Sequence, residues 1–273
     1  MRKPRVLYVS QEITPYLSQG PIADICRYLP QGIQERGKEI RTFMPRFGVV
    51  NERRNQLHEV IRLSGMNLII GENDHPLIIK VASIQNARMQ VYFIDNDEYF
   101  QRKFVFRDNK NKFYKDNEDR TIFFCRGVME TVKKLGWAPD IIHCHGWMTS
   151  LIPLYVKSTY KEHPLFRNAK VVYSVYDHDL DEAFSDMFIK KIRLDGVPAD
   201  ELKLYKDASI SSLNSVAMHK SDAIIRVSET LSPVLEKQLL KSSKRILNHD
   251  DNYIEAYSEF YDELMEEESV LAD

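Results

Sequence analysis

The sequence contains little cysteine, and its cysteines do not form a disulfide or metal-binding pattern. Three are present in 273 residues, at Cys26, Cys125 and Cys144. None belongs to a Cys-x-x-Cys pair, and each lies in an apolar, periodic segment. A disulfide framework needs a dense, usually even set of cysteines, and a zinc knuckle needs closely spaced pairs. The pattern therefore argues against both classes and predicts that the three thiols are small core residues.

Long apolar runs are also missing. No run approaches the roughly 20 apolar residues that a membrane-spanning helix needs. The amino terminus, Met1 to Pro4, leads directly into a strand pattern instead of the apolar core of a signal peptide. We therefore expect no membrane interaction and a cytoplasmic protein.

Basic residues are absent from the last part of the sequence. All 38 lysines and arginines lie at or before Arg245, whereas ten of the 40 aspartates and glutamates follow it. The first 245 residues thus carry 38 basic and 30 acidic side chains, a net charge of +8. This excess could attract phosphates or an acidic partner. No basic stripe with interleaved aromatic residues is present, so we expect no nucleic-acid partner.

Short strands and amphipathic helices alternate along most of the chain. Strand patterns occur at residues 5–10, 39–44, 141–144, 170–175 and 223–227. Apolar residues recur at helical spacing between them, most clearly over 117–135. Such alternation is typical of a doubly wound parallel sheet. We predict an α/β fold with one Rossmann-like domain over residues 1–245.

Two segments depart from this alternation. Residues 57–94 show the period-two pattern of strands, which predicts an antiparallel insertion. Residues 246–273 are acidic and predict a C-terminal helix. The apolar stripe of that helix consists of Ile254, Tyr257, Tyr261 and Leu264. We expect it to cover a surface of the domain, with formation of a homodimer as the alternative.

The turn between the first strand and the first helix is a candidate ligand-binding element. Gly20 precedes Pro21 there, and proline suits the first turn of a helix. Glycine lets the backbone approach an anion, such as a nucleotide phosphate, at the positive end of the helix. The alternative is a tight strand-to-helix turn without a ligand.

Two histidines end the strand at 141–144. His143 and His145 share one face, near the edge of the sheet where open α/β folds bind ligands. They could bind a metal, and Asp177-His178-Asp179 could supply a third ligand, but spacing does not fix one. His145 could instead contact a sugar, act as an acid or base, or be a hydrogen-bonded structural residue. We expect no metal and no cofactor.

Four segments, in order along the chain, resemble the motifs of one enzyme family. Residues 18–24 resemble K-x-G-G-L-A-D, 91–100 resemble V-Y-F-I-D-N-x-E-Y-F, 136–147 resemble G-W-x-P-D-I-I-H-x-H-D-W, and 221–232 resemble A-D-x-x-x-T-V-S-x-x-Y. These are motifs of bacterial glycogen synthases and plant starch synthases, two-domain GT-B glucosyltransferases that use ADP-glucose. The resemblance implies that this chain is similar to their N-terminal half.

The resemblance also implies which residues would face a nucleotide sugar or an α-glucan. Asp24 matches the acidic residue of the first motif, and His145 matches the second histidine of the third, so these two are the catalytic candidates. Tyr176 stands where the family has a histidine that contacts the transferred sugar. Trp147 and Tyr176 could stack on a sugar ring, although aromatic residues near strand ends are often core residues. With Gly20 and His143, these residues complete the candidate ligand-binding set.

Several positions depart from the family motifs. Ser18 replaces a lysine and Pro21 a glycine in the phosphate-binding loop. Gly146 replaces an aspartate at the crevice. The family's second, nucleotide-binding domain, about 200 residues on usual domain sizes, has no counterpart in this sequence.

These departures define three functional hypotheses. The first is a domain without glucosyltransfer activity on its own that keeps a ligand-binding or partner-binding role. The second is an active ADP-glucose-type transferase whose nucleotide-binding domain comes from a separate chain. The third is a non-enzymatic protein-interaction module.

Overall fold

The computed structural model describes residues 2–18, 20–177, 181–205 and 207–271. The strands are β1 (Arg5–Ser10), β2 (Glu39–Pro45), β3 (His58–Glu59), β4 (Met66–Ile70), β5 (Asn73–Ile84), β6 (Met89–Asp95), β7 (Ile141–His145), β8 (Lys170–Val175), β9 (Ala223–Arg226) and β10 (Arg245–Asn248). The helices are α1 (Pro21–Glu35), α2 (Asp97–Phe100), α3 (Asn117–Leu135), α4 (Leu151–Lys157), α5 (Met187–Leu194), α6 (Ala199–Leu202), α7 (Ile210–Lys220), α8 (Pro233–Lys241) and α9 (Tyr253–Leu271). Across the described residues, no helix combines the length and apolar character needed to cross a membrane.

The strands form one sheet in the order β10-β9-β8-β7-β1-β2-β6-β5-β3, and β4 pairs with β5 outside this path. Neighbouring strands from β10 to β6 are all parallel. β5 is antiparallel to β6, and both β3 and β4 are antiparallel to β5. The expected α/β class, with a parallel sheet and an antiparallel part, is confirmed.

Three elements differ from the sequence pattern. β6, which the alternation places in the antiparallel insertion, pairs in parallel with β2. Residues 72–76 have the composition of a turn, which predicts a break between strands, yet β5 already begins at Asn73. Its first residues pair with β4, and its pairing with β6 starts only at Ile78. β10 spans the expected boundary at residue 245 and pairs with β9.

Helices cover both faces of the sheet. α1 and α9 pack together beside β1 and β2, while α3, α4 and α7 pack against β6 and β8. Successive residues of a strand point to opposite faces. Tyr8 and His143 lie side by side on the face towards α9, where the Tyr8 hydroxyl and the His143 imidazole both contact the Tyr261 hydroxyl. Cys144 faces the opposite layer, beside Cys125 of α3.

Candidate active site

The strand order reverses between β1 and β7, in the middle of the sheet. From β1 the chain proceeds to β2 and β6 on one side, whereas β8, β9 and β10 follow β7 on the other. At the carboxyl ends of the central pair, Ser10 lies opposite His145, and the Gln11 amide donates to the His145 carbonyl at 3.2 Å. Open α/β sheets bind ligands at such a reversal. We call this region, formed by residues 10–12 and 145–146, the crevice.

His143 lies just below the crevice with both ring nitrogens occupied. Its Nδ1 is 2.6 Å from the Tyr261 hydroxyl, and its Nε2 is 2.8 Å from Ser174 Oγ. The side chain is fully buried. Burial, with a smaller contribution from the neighbouring His145, holds the pKa of His143 well below its usual value. These contacts describe a neutral imidazole fixed within the core.

His145 is also fully buried, with its ring centroid 3.9 Å from that of His143. Its Nδ1 is 2.8 Å from the Tyr176 hydroxyl, and its Nε2 has no hydrogen-bond partner within the described parts of the chain. Burial, followed by the nearby His249, lowers the pKa of His145 to about 3. The imidazole is therefore uncharged near neutral pH, and Tyr176 is buried against it.

Helix α9 covers these imidazoles. Tyr257 and Tyr261 are fully buried, and the sequence-predicted apolar stripe faces the domain. Two basic residues that follow α1 pair with acidic residues on the polar edge of α9. Arg36 Nε donates to Glu255 at 2.8 Å, and Lys38 Nζ contacts Asp262 at 2.8 Å. The stripe thus packs within the same chain.

The N-terminus of α1 lies at one side of the crevice. Gly20 has φ −177°, an extended conformation open to any residue. A Cβ there would lie 3.4 Å from the Glu12 carboxylate, and the Glu12 side chain is buried. The Glu12 carboxyl group thus lies near the positive end of this helix, where a phosphate would otherwise bind favourably.

Asp24 stands in the first turn of α1 and is exposed. Its Oδ1 accepts a hydrogen bond from Thr14 Oγ1 at 2.8 Å, and Thr14 Oγ1 is 2.9 Å from Ser18 Oγ. The carboxylate therefore orders the loop that precedes the helix. Its exposure leaves it open to a ligand.

Trp147 is separated from the other candidates. Its ring is buried against Phe106, Phe113 and Phe184, at centroid distances of 4.9, 5.9 and 6.0 Å. Two of these partners come from the segment between α2 and α3. The indole is enclosed by aromatic core residues, so no open face is presented for a sugar ring.

The structure therefore brings His143, His145 and Tyr176 together under α9 and leaves Gly20 and Asp24 at the start of α1. Among the described residues, no group of three or more histidine, cysteine, aspartate or glutamate side chains is placed to hold a metal ion. His178 and Asp179, considered as further ligands from the sequence, lie outside the described residues. The contacts of Gln11, Ser174 and Tyr261 were missed by sequence reasoning because they depend on pairing between distant segments.

Comparison with known proteins identifies the family. A family model described as the starch synthase catalytic domain matches residues 5–242. The chain belongs to this family.

Relatives in this starch synthase family are similar over part of their length. The chain is 41% identical over 174 residues to a glycogen synthase of Pelodictyon phaeoclathratiforme, covering 63% of this chain and 36% of that protein. It is 40% identical over 177 residues to a glycogen synthase of Chlorobium luteolum, covering 64% of this chain and 36% of that protein. The match thus spans little more than a third of these relatives.

The fold matches a solved structure of the same family. The catalytic domain of starch synthase IV from Arabidopsis thaliana bound to ADP and acarbose superposes with a TM-score of 0.73 at 17% identity. The match covers 90% of this chain and 51% of that chain. The protein is a glycogen synthase-like and starch synthase-like glycosyltransferase domain with the Rossmann-like fold of one GT-B half.

In this starch synthase-like domain, the local structure accommodates only a glycine at position 146, where the family motif has an aspartate. Gly146 has φ +88° and ψ 159°, a conformation that is essentially restricted to glycine. A Cβ there would overlap the side-chain amide of Gln11 and lie 2.7 Å from its Cγ. Gln11 thus fills the space that a side chain at position 146 would need, including the aspartate of the family motif.

The two buried imidazoles predict a pH dependence of stability. Below pH 6.5 the unfolded chain binds protons on both histidines, whereas the folded chain resists protonation because both pKa values are lowered. Stability is therefore lost as pH falls from about 6.5 towards 3. We expect the two groups to remove about 2 kcal/mol between pH 6 and pH 5.

Urea denaturation at pH 7, 6 and 5 measures this loss. His145→Gln should reduce the loss between pH 6 and pH 5 by about 1 kcal/mol, while replacement of the exposed His58 by glutamine is the matched control and should leave the loss as in the wild type. Equal unfolding free energies of the wild type at pH 7 and pH 5 would contradict the proposed neutral, buried pair.

Proposed function

We propose that this starch synthase-like domain does not transfer glucose on its own and keeps a role in binding a ligand or a partner. The burial of His145 carries this proposal. A group that exchanges protons with a substrate must reach it, and works best with a pKa near the working pH. His145 is fully buried beneath α9, and its pKa is lowered to about 3.

The loop before α1, at one side of the crevice, supports the same proposal. Ser18 occupies the position of the family's phosphate-directed lysine and makes a neutral contact to Thr14. The buried Glu12 carboxylate approaches Gly20. Ser18 carries no charge where the family motif supplies a lysine, so binding of the phosphates of a nucleotide is weakened.

Residual binding is proposed for the classes of ligand that the family uses. The Arabidopsis starch synthase structure contains ADP and acarbose. We infer that a nucleotide sugar or an α-glucan would approach this chain past Asp24, which is exposed at the start of α1. We also infer that the glycosyltransferase-like domain includes β10 and that α9 acts as its cover.

Two measurements on the purified chain test the proposal. We expect no incorporation of labelled glucose from ADP-glucose into maltooligosaccharides, with a glycogen synthase as the positive control. Calorimetric titration with ADP-glucose, UDP-glucose, ADP and maltooligosaccharides then separates the roles. Binding of a glucan alone supports a carbohydrate-binding role, and silence with all four supports a protein-interaction role.

The opposite result would have a definite meaning. Incorporation of glucose by the chain alone would overturn the proposal. Saturable binding of ADP-glucose without transfer would favour an enzyme that needs a separate nucleotide-binding chain. Addition of such a chain would then have to restore incorporation.

A further inference from the structure

A groove lies between α7 and α8, in the helical layer opposite the one that contains α1 and α9. It consists of two adjoining cavities of about 910 and 290 Å³. The cavities share His219, Val234 and Gln238 as lining residues, so they form one continuous depression. We call it the lysine groove. It does not include any residue of the crevice.

One end of the lysine groove is positively charged. Lys237, Lys241 and Lys244 line it, and within the described residues the Nζ atom of none of them forms an ion pair or a hydrogen bond. Burial, followed by the charges of Lys220 and Lys244, lowers the pKa of His219. Lys241 also complements the C-terminal end of α8, but Lys237 lies a turn earlier.

The other end of the lysine groove is rich in hydroxyl groups. Ser211, Ser215 and His219 are four residues apart on α7 and therefore form one stripe. Ser211 Oγ is buried and has no hydrogen-bond partner among the described residues. Gln238 of α8 lines the same space. Buried hydroxyls are normally paired, so this end of the groove offers unused hydrogen-bonding capacity to a polar ligand.

The two ends of the lysine groove differ in the side chains that line them. Asp207 lies at the hydroxyl end, where its carboxylate accepts hydrogen bonds from the amide and hydroxyl of Ser209. A phosphate would be attracted to the opposite end, where three lysine side chains lie. The arrangement therefore favours a ligand with one charged end and one neutral, hydroxylated end.

We propose that the lysine groove binds a phosphorylated sugar, with the phosphate between Lys237, Lys241 and Lys244 and the sugar hydroxyls along Ser211, Ser215 and Gln238. Lysine ammonium groups bind phosphate as point charges. Serine hydroxyls and the glutamine amide both donate and accept hydrogen bonds, which matches the hydroxyl groups of a sugar. This site is independent of the crevice and of transfer activity.

Calorimetric titration with glucose 1-phosphate, glucose and inorganic phosphate tests the proposal. We expect saturable binding of glucose 1-phosphate that weakens as salt is added. The double substitution Lys237→Gln and Lys241→Gln should raise its Kd at least about tenfold, or about 1.4 kcal/mol. Lys161→Gln with Lys190→Gln removes the same charge from exposed lysines outside the groove and should leave the Kd unchanged.

A second variant tests the hydroxyl end. Ser211→Ala with Ser215→Ala should weaken glucose 1-phosphate while leaving inorganic phosphate unaffected. Equal affinity of the wild type for inorganic phosphate and glucose 1-phosphate would overturn the sugar-binding part of the proposal. Absence of saturable binding, or an equal loss in both lysine double variants, would overturn it altogether. Circular dichroism of each variant confirms that the comparison is made between folded proteins.

Discussion

Replacement of Tyr261 by alanine is expected to lower the free energy of unfolding by about 3–5 kcal/mol, the usual cost of truncating a buried aromatic side chain. The Tyr261 ring is fully buried between α9 and the sheet. Its hydroxyl lies 2.6 Å from His143 Nδ1 and 3.4 Å from the Tyr8 hydroxyl. The substitution thus creates a cavity and leaves a buried imidazole nitrogen without its partner.

Urea denaturation of a small set of variants separates these effects. Tyr261→Phe keeps the ring and loses the hydroxyl, so it should cost about 1–3 kcal/mol. Tyr28→Ala removes a tyrosine that is 52% exposed on α1 and should change stability by no more than about 0.5 kcal/mol. If Tyr261→Ala is no more destabilising than Tyr28→Ala, then α9 does not pack on the sheet as described.

Restoring the family's aspartate at Gly146 is expected to destabilise the domain by about 3 kcal/mol or more, with no gain of transfer activity. Three costs combine. The backbone conformation at φ +88° and ψ 159° costs a residue other than glycine about 1–3 kcal/mol. The new Cβ overlaps Gln11. A carboxylate would also be introduced between the buried His145 and Trp147, where its desolvation is costly.

Alanine substitutions divide this cost between backbone and packing. Gly37 also has a positive φ, of +90°, and a Cβ there would meet no neighbouring atom within 4 Å, so Gly37→Ala reports the cost of a positive φ without a steric overlap. Gly146→Ala should be clearly more destabilising than Gly37→Ala because it adds the overlap with Gln11. Gln11→Ala in the Gly146→Ala background should recover part of the loss. Equal effects of the two glycine substitutions would show that Gln11 does not fill this space.

Local patterns predicted the elements of this fold well. The 3.6-residue spacing over 117–135 predicts a helix, and α3 has these bounds. The apolar run at 170–175 predicts a strand, and β8 has these bounds. Both signals arise from residues close together in sequence, because one face of each element must be apolar to join the core.

Strand partners and side-chain contacts were harder to predict. Alternation over residues 89–94 reveals a strand but not whether its neighbour is parallel, and β6 has one partner of each kind. The sequence showed that His143 and His145 share a face, yet not that Tyr261 and Tyr176 close over them. Those contacts join residues far apart in the chain, so no local period records them.

The central position of β1 has a consequence for how the chain folds. β1 pairs with β7 across 135 residues, from Val6 to Ile141, and Lys38 reaches Asp262 of α9 across 224 residues. Contacts so distant in sequence carry a large loop-closure cost and slow folding. During synthesis the middle of the sheet cannot close until β7 has left the ribosome. His143 and His145 remain open to water until α9 has also been synthesised and has packed over them. The nascent chain therefore passes through a stage at which chaperones can bind the face of the sheet that α9 later covers.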